Sequence, residues 1–326
     1  MSFVRRALPL ALVATALVIP APARGVMPVP CATAHTIDDE VPVPEGALVP
    51  TNTVRILLPD CHDPERLEAY PVVLLLHGAG DGYETWVENT DVETFAADLG
   101  AIVVMPDGGG KHSEAGWYTD WADGSRQWET FHIEVLLPWV DANLNTWADR
   151  EHRAVMGLSM GGFGALSYAA RHPDLFGAAA SFSGALDTQY VAPASGYGFA
   201  AVNPYFGTPD DRVWGPQGTE LDEDNEWTRH NPTALTRAGA LAHLDGNLWI
   251  TTGTGTPGGP AGDDPGNPGG YAVEQFIWQL NQSWRLAATQ SATQFHDRSY
   301  VGGPHDWPHW EHSLHLVLPE VVAAIS

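Results

Sequence analysis

Lysine is almost absent from this chain of 326 residues: Lys111 is the only one, so Schiff-base chemistry at any other lysine is excluded. Basic residues are scarce altogether, with 15 Lys and Arg against 40 Asp and Glu and a formal net charge of −25. A surface of that sign repels phosphate backbones and anionic headgroups, so nucleic acid is not expected as a partner. High-salt adaptation gives the same balance, and so does an ordinary soluble secreted enzyme, so charge narrows the partners without naming a substrate. Cysteine is limited to Cys31 and Cys61, neither on a sharp turn nor beside a base, which argues against a thiol nucleophile. Past the first twenty residues no apolar run approaches the ~20 residues of a membrane span, so stable insertion is not expected. There is no H-E-x-x-H, and the histidines between His305 and His315 form no closed ligand set with a general base. Asp222-Glu223-Asp224-Asn225 lacks the glycine and spacing of a calcium loop. No metal and no cofactor are expected.

What is present begins with an export signal. Arg5-Arg6 precede an apolar run over residues 7–19, and Ala21-Pro22-Ala23 supplies small residues for cleavage, so residues 1–23 read as a secretory signal peptide. Its removal leaves 13 basic against 40 acidic residues, a net charge of −27. In an oxidising compartment Cys31 and Cys61 are expected to form one disulfide. It would close a loop of about 30 residues, worth roughly 3–4 kcal/mol. Residues 24–52 are rich in proline, without periodicity, and read as an extended N-terminal arm.

From Thr53 onward strands and helices alternate, which predicts one α/β domain over residues 53–326. Buried strands are expected over 54–58, 72–76, 102–105, 154–156, 178–182 and 248–252. Helices are expected over 129–144, 162–171, 273–287 and 310–324, with Pro138 kinking the first or shifting its start. Residues 190–231 have no clean period and read as an insertion over the site, while 256–270 is a Gly/Pro/Asp loop.

Gly157-Leu158-Ser159-Met160-Gly161 lies where a strand turns into a helix, the context of a nucleophile elbow. Such a turn exposes the serine hydroxyl and aims helix N–H groups at the place where an oxyanion forms. A serine needs a base, and the base an orienting acid. His305, in Gly302-Gly303-Pro304-His305, fits the base, whereas His309, His312 and His315 have helical spacing. The acid should leave the end of strand 248–252 into the following loop, where Asp263 is favoured and Asp264 is the alternative; Glu274 ranks third because it falls in the next helix. His77-Gly78-Ala79-Gly80 follows a strongly apolar strand, so the amides of Ala79 and Met160 are the expected oxyanion donors. Thirteen tryptophans suggest an aromatic platform, with Trp121 and Trp307 as substrate-binding candidates and Trp117, Trp214 and Trp310 near the same rim.

These residues in this order resemble the esterase D family of α/β hydrolases, and within it the secreted mycolyltransferase-like branch. The resemblance runs from about residue 53 to 317. It includes Val104-Met105-Pro106, Tyr118-Thr119-Asp120-Trp121, Trp128-Glu129-Thr130-Phe131, Trp214-Gly215-Pro216, Asn231-Pro232-Thr233 and His305-Asp306-Trp307. It implies an α/β-hydrolase fold, a mostly parallel sheet with helices on both faces, and Ser159, His305, Ala79 and Met160 in the roles above. Two departures stand out. His77 and Gly80 occupy positions where mycolyltransferases carry the acid and arginine that recognise trehalose, and residues 258–262 intervene before the expected acid.

The expectation is a secreted serine esterase acting on a small-molecule, lipid or glycolipid ester through an acyl-enzyme. Acyl transfer to a sugar or glycerol hydroxyl uses the same groups and is the first alternative. A non-catalytic wall- or matrix-binding protein on a hydrolase scaffold is the second.

Overall fold

Strand residues of this chain alternate between two apolar layers, and that alternation builds the fold. Val72, Leu74 and Leu76 pack into one core while Val73 and Leu75 pack into the other. Ile102 and Val104 separate from Val103 and Met105 in the same way. A sheet apolar on both faces needs a helical layer on each. The computed structural model describes residues 35–192, 198–199, 210–218, 222 and 224–326. Among these are strands β1 His35–Glu40, β2 Thr53–Leu58, β3 Val72–Leu76, β4 Ile102–Pro106, β5 Arg153–Leu158, β6 Ala178–Phe182, β7 Leu248–Thr251 and β8 His296–Asp297. The order across the sheet is β1-β2-β4-β3-β5-β6-β7-β8. The pairs β1–β2 and β2–β4 are antiparallel and every later pair is parallel. This is the mostly parallel sheet of an α/β hydrolase.

Three helices position the site: α1 Met160–Arg171, α2 Pro268–Gln290 and α3 Trp307–Ile325. Helix α1 and the face of α2 bearing Ile277, Leu280 and Trp284 join the first core. Leu314, Val317 and Val321 of α3 join the second. Alanines at 178, 179 and 180 make β6 a low ridge against which helices approach closely.

Several sequence expectations change here. The segment read as an N-terminal arm carries β1, which pairs with β2 over His35↔Leu58 to Glu40↔Thr53. Its mixed polar sequence hid an edge strand that buries little side chain. A short strand beyond the buried ones expected, β8, adds His296 and Asp297 to the sheet beside β7. Pro138 does not end its helix. Helical structure runs over residues 128–143, and a π segment over Phe131–Leu136 precedes the proline. The widened turn accommodates a residue with no N–H to close the i→i−4 bond. The signal peptide at 1–23, Cys31 and much of the 190–231 insertion lie outside the described residues. No helix among the described residues is long and apolar enough to cross a membrane.

Candidate active site

Strands β3 and β5 are neighbours, with Leu76 opposite Gly157. Their carboxyl ends therefore deliver residues 77–79 and Ser159 to the same edge of the sheet. Ser159 adopts φ 51° and ψ −114°, a sharp non-glycine turn between β5 and α1. The glycines around it have no room for side chains. A Cβ on Gly161 would lie 2.5 Å from the Leu76 carbonyl oxygen, and one on Gly157 would lie 2.7 Å from Gly161 backbone atoms. The Ser159 N–H is anchored to the Phe182 carbonyl at 2.9 Å.

His305 Nε2 stands 2.9 Å from Ser159 Oγ, and its Nδ1 stands 2.6 Å from Glu274 Oε2. His305 reaches this position through Gly302 and Gly303, both at positive φ, and through its N–H bond to the Gly270 carbonyl at 3.0 Å. Trp310 meets the imidazole edge to face at 4.8 Å. With a carboxylate on Nδ1, the imidazole carries its hydrogen there and leaves Nε2 free to accept the serine proton.

The acid at His305 is Glu274, which corrects the expectation of Asp263 or Asp264. Asp263 is exposed and receives the Gly258 N–H and the Tyr271 hydroxyl, while Asp264 is exposed at the turn into α2. The loop after β7 bonds its backbone to Gly302 and Gly303 and keeps both aspartates at the surface. Glu274 is fully buried, and its Oε1 accepts from Ser183 Oγ at 2.7 Å, Thr252 Oγ1 at 3.1 Å and Gly253 N–H at 2.7 Å. Those donors come from the ends of β6 and β7, so two strand ends hold one carboxylate. The signal for it was in the sequence. Residues 274, 277, 281, 284 and 288 form the buried stripe of α2, and a lone glutamate on an apolar stripe demands a partner.

Met160 is the first residue of α1, where a backbone N–H has no intrahelical acceptor. Ala79 lines a narrow slot together with Ser159, and a Cβ on Gly78 would come within 3.5 Å of Ser159 Cβ. Both predicted amide donors thus border the serine. His77 locks the turn, since its Nδ1 contacts the Gly78 carbonyl and its Nε2 accepts the Gly108 N–H, each at 2.8 Å. Tyr118 hydroxyl donates to the His77 carbonyl at 3.0 Å.

The slot is apolar, walled by Trp117, Ala185, Phe199, Val273, Phe276 and Ile277. Trp117 packs on Trp214 at 5.4 Å and on Phe199 at 5.1 Å. Neither of the two tryptophans expected to bind substrate lines the slot. Trp121 is buried away from Ser159, with Arg212 against its ring at 4.7 Å and its indole N–H on the Gly116 carbonyl. Trp307 is half-buried, edge to face with Trp86 and Trp310. Trp117, in the same aromatic segment as Trp121, is the ring beside the serine.

The family model described as "Putative esterase" matches residues 47–321. The chain belongs to this esterase family. It is 31% identical over 264 residues to the diacylglycerol acyltransferase/mycolyltransferase Ag85B of Mycobacterium leprae, covering 77% of this chain and 75% of that one. It is 45% identical over 136 residues to Esterase Rv1288 of Mycobacterium tuberculosis, covering 40% of this chain but only 28% of that relative's length. Among solved structures, Mycobacterium tuberculosis MPT51 superposes with a TM-score of 0.64 at 25% identity, covering 90% of this chain and 99% of that one. A ferulic acid esterase superposes at 0.65 with 21% identity, over 90% of this chain and 98% of its own, a likeness of fold. The names of these relatives describe an esterase and an acyltransferase/mycolyltransferase.

Proposed function

We propose that the protein is a secreted serine esterase whose nucleophile is Ser159. The observation that carries the reading is the chain of contacts from Ser159 Oγ through His305 to buried Glu274, at 2.9 and 2.6 Å. As the serine oxygen attacks the ester carbonyl, His305 Nε2 takes its proton and Glu274 holds the imidazolium that results. The carbonyl oxygen becomes an oxyanion facing the N–H groups of Ala79 and Met160, donors worth about 10²–10³ in rate each. Collapse breaks the bond to the alcohol oxygen, which receives the proton from His305. Water, deprotonated by the same nitrogen, then releases the acid and restores the serine. The aromatic slot receives the acyl group. Export rests on the N-terminal signal pattern, and the substrate is a small-molecule, lipid or glycolipid ester.

A panel of chromogenic esters of graded chain length, with Ser159→Ala as control, tests the reading. Turnover by the wild type alone supports it, and retention of most activity by the variant overturns it. Labelling of Ser159 by a serine-reactive phosphonate in the folded protein separates an enzyme from a binding protein on the same scaffold. Acyl transfer to a sugar or glycerol hydroxyl is the second reading, supported by the likeness to mycolyltransferases. Partition of a labelled acyl group between water and added sugar distinguishes the two.

A further inference from the structure

Asp91 stands at the N-cap of the short helix Val92–Ala97, yet its carboxylate makes no capping hydrogen bond. An aspartate in that place ordinarily accepts an N–H of the first turn. This one turns to α3 instead, where its Oδ1 stands 2.6 Å from His315 Nε2. Glu311 lies one helical turn before His315 on the same face of α3, and its Oε1 accepts the Asp91 N–H at 2.9 Å. Side-chain ligand atoms of all three residues lie within 4.8 Å of one another. Phe95 packs on the imidazole at 4.2 Å between ring centres and limits its rotation.

Two carboxylates this close repel, and among the described residues neither pairs with an arginine or lysine. With the imidazole neutral, two negative charges stand without a cation. Asp91 is exposed while Glu311 and His315 are half-buried, so an ion reaches them from solvent. One imidazole nitrogen with two carboxylates suits zinc and its neighbours among the divalent transition ions, whereas calcium and magnesium take oxygen ligands. Ligand atoms about 2.1 Å from a tetrahedral ion are roughly 3.4 Å apart, so rotation of these solvent-reached side chains closes the set. Water fills the fourth position.

We propose that Asp91, Glu311 and His315 bind zinc or a similar divalent transition ion at the surface and so clip α3 to the helix Val92–Ala97. The ion takes the place of the proton that His315 Nε2 and Asp91 Oδ1 share. Because α3 begins two residues after His305, the clip braces the segment that carries the base. Ser159, His305 and Glu274 are not among the ligands, so the role is structural and the inference stands apart from the serine mechanism. No single stretch of sequence displays the site, since Asp91 and Glu311 are 220 positions apart.

Untagged protein, stripped with EDTA and dialysed, is titrated calorimetrically with zinc chloride and separately with calcium chloride. Zinc should bind, and its Kd should rise at least tenfold in His315→Ala and in Glu311→Gln, each verified as folded by circular dichroism. His152→Ala is the control: His152 also meets an aspartate, Asp149, at 2.7 Å, and its loss should leave zinc affinity within about twofold of wild type. Calcium at the same concentrations should give no heat that His315→Ala removes. Zinc at a hundredfold excess over Kd should raise the wild-type Tm by about 5 °C and leave that of His315→Ala unchanged. Absence of zinc binding by wild type would make the three residues an ordinary surface ion pair and overturn the proposal. Zinc affinity unchanged in both site variants, or lost equally in His152→Ala, would overturn it too, and calcium bound as tightly as zinc would refute the class of ion.

Discussion

Ser159 is held in a backbone conformation that costs a non-glycine residue about 1–3 kcal/mol, and the Gly157 and Gly161 contacts and the Phe182 anchor maintain it. The strain projects the hydroxyl toward His305. Ser159→Ala should lower kcat by roughly 10⁴-fold or more, read as steady-state turnover of a chromogenic ester. Glu274→Gln tests the acid: the amide keeps the shape but cannot support an imidazolium, so kcat should fall by about 10³–10⁴-fold. Asp263→Asn and Asp264→Asn, both exposed, should stay within about threefold of wild type on the same substrate. A large loss in either, with little in Glu274→Gln, would restore the loop aspartate to the triad. The difference between the candidates is one of reach. Glu274 extends from a rigid helix to three donors on the strand ends, while Asp263 turns back onto its own loop.

At the scale of elements, the site exists because β3 and β5 are adjacent and α1 starts on the strand that carries the serine. Gly161→Ala should destabilise the fold by roughly 3 kcal/mol, since its methyl would meet the backbone oxygens of Leu76 and His77, which cannot rotate away. Urea unfolding checks this, and a change under ~0.5 kcal/mol would mean that the elbow is looser than drawn. The strands were legible because both faces are apolar and short runs of Val, Ile and Leu end at glycines. The buried stripe of α2 was legible too, but Glu274 within it read as a helix residue rather than as the acid. β1 was not legible, because an edge strand with one neighbour has no need of an apolar pattern.

For the molecule as a whole, pH acts on stability through buried titratable groups. Burial pushes His132 down to about 4, with Tyr168 hydroxyl and the Asp107 carbonyl as its partners. The unfolded chain takes up that proton near pH 6.5 and the folded protein only near 4, so stability falls as pH drops through this window. The loss is on the order of 3 kcal/mol. Asp81 works the other way. Its folded carboxyl holds a proton up to about pH 6 while the unfolded one releases it near 3.8, so its contribution favours the fold at the acid end. The two contributions oppose each other between pH 7 and pH 5 with His132 the larger, so urea midpoints should fall slightly over that range, and His132→Asn should reverse the change; midpoints that still fall in the variant would refute the assignment. The disulfide stays a proposal, since Cys31 lies outside the described residues. Intact mass under reducing and non-reducing conditions should differ by the two hydrogens of one bridge, and reduction should cost roughly 3–4 kcal/mol.

The amino-acid sequence alone determined the alternating α/β order, the elbow at Ser159, the histidine at 305 and the turn at 77–80, because each depends on local backbone chemistry: glycine where a Cβ cannot fit, apolar runs where a strand is buried on both sides. Tertiary structure decided the rest. Which carboxylate meets His305 and which tryptophan stands beside the serine depend on how loops and helices far apart in the chain converge on the ends of β3, β5, β6 and β7. Convergence of that kind is set by packing across the whole sheet, and no local pattern of residues encodes it.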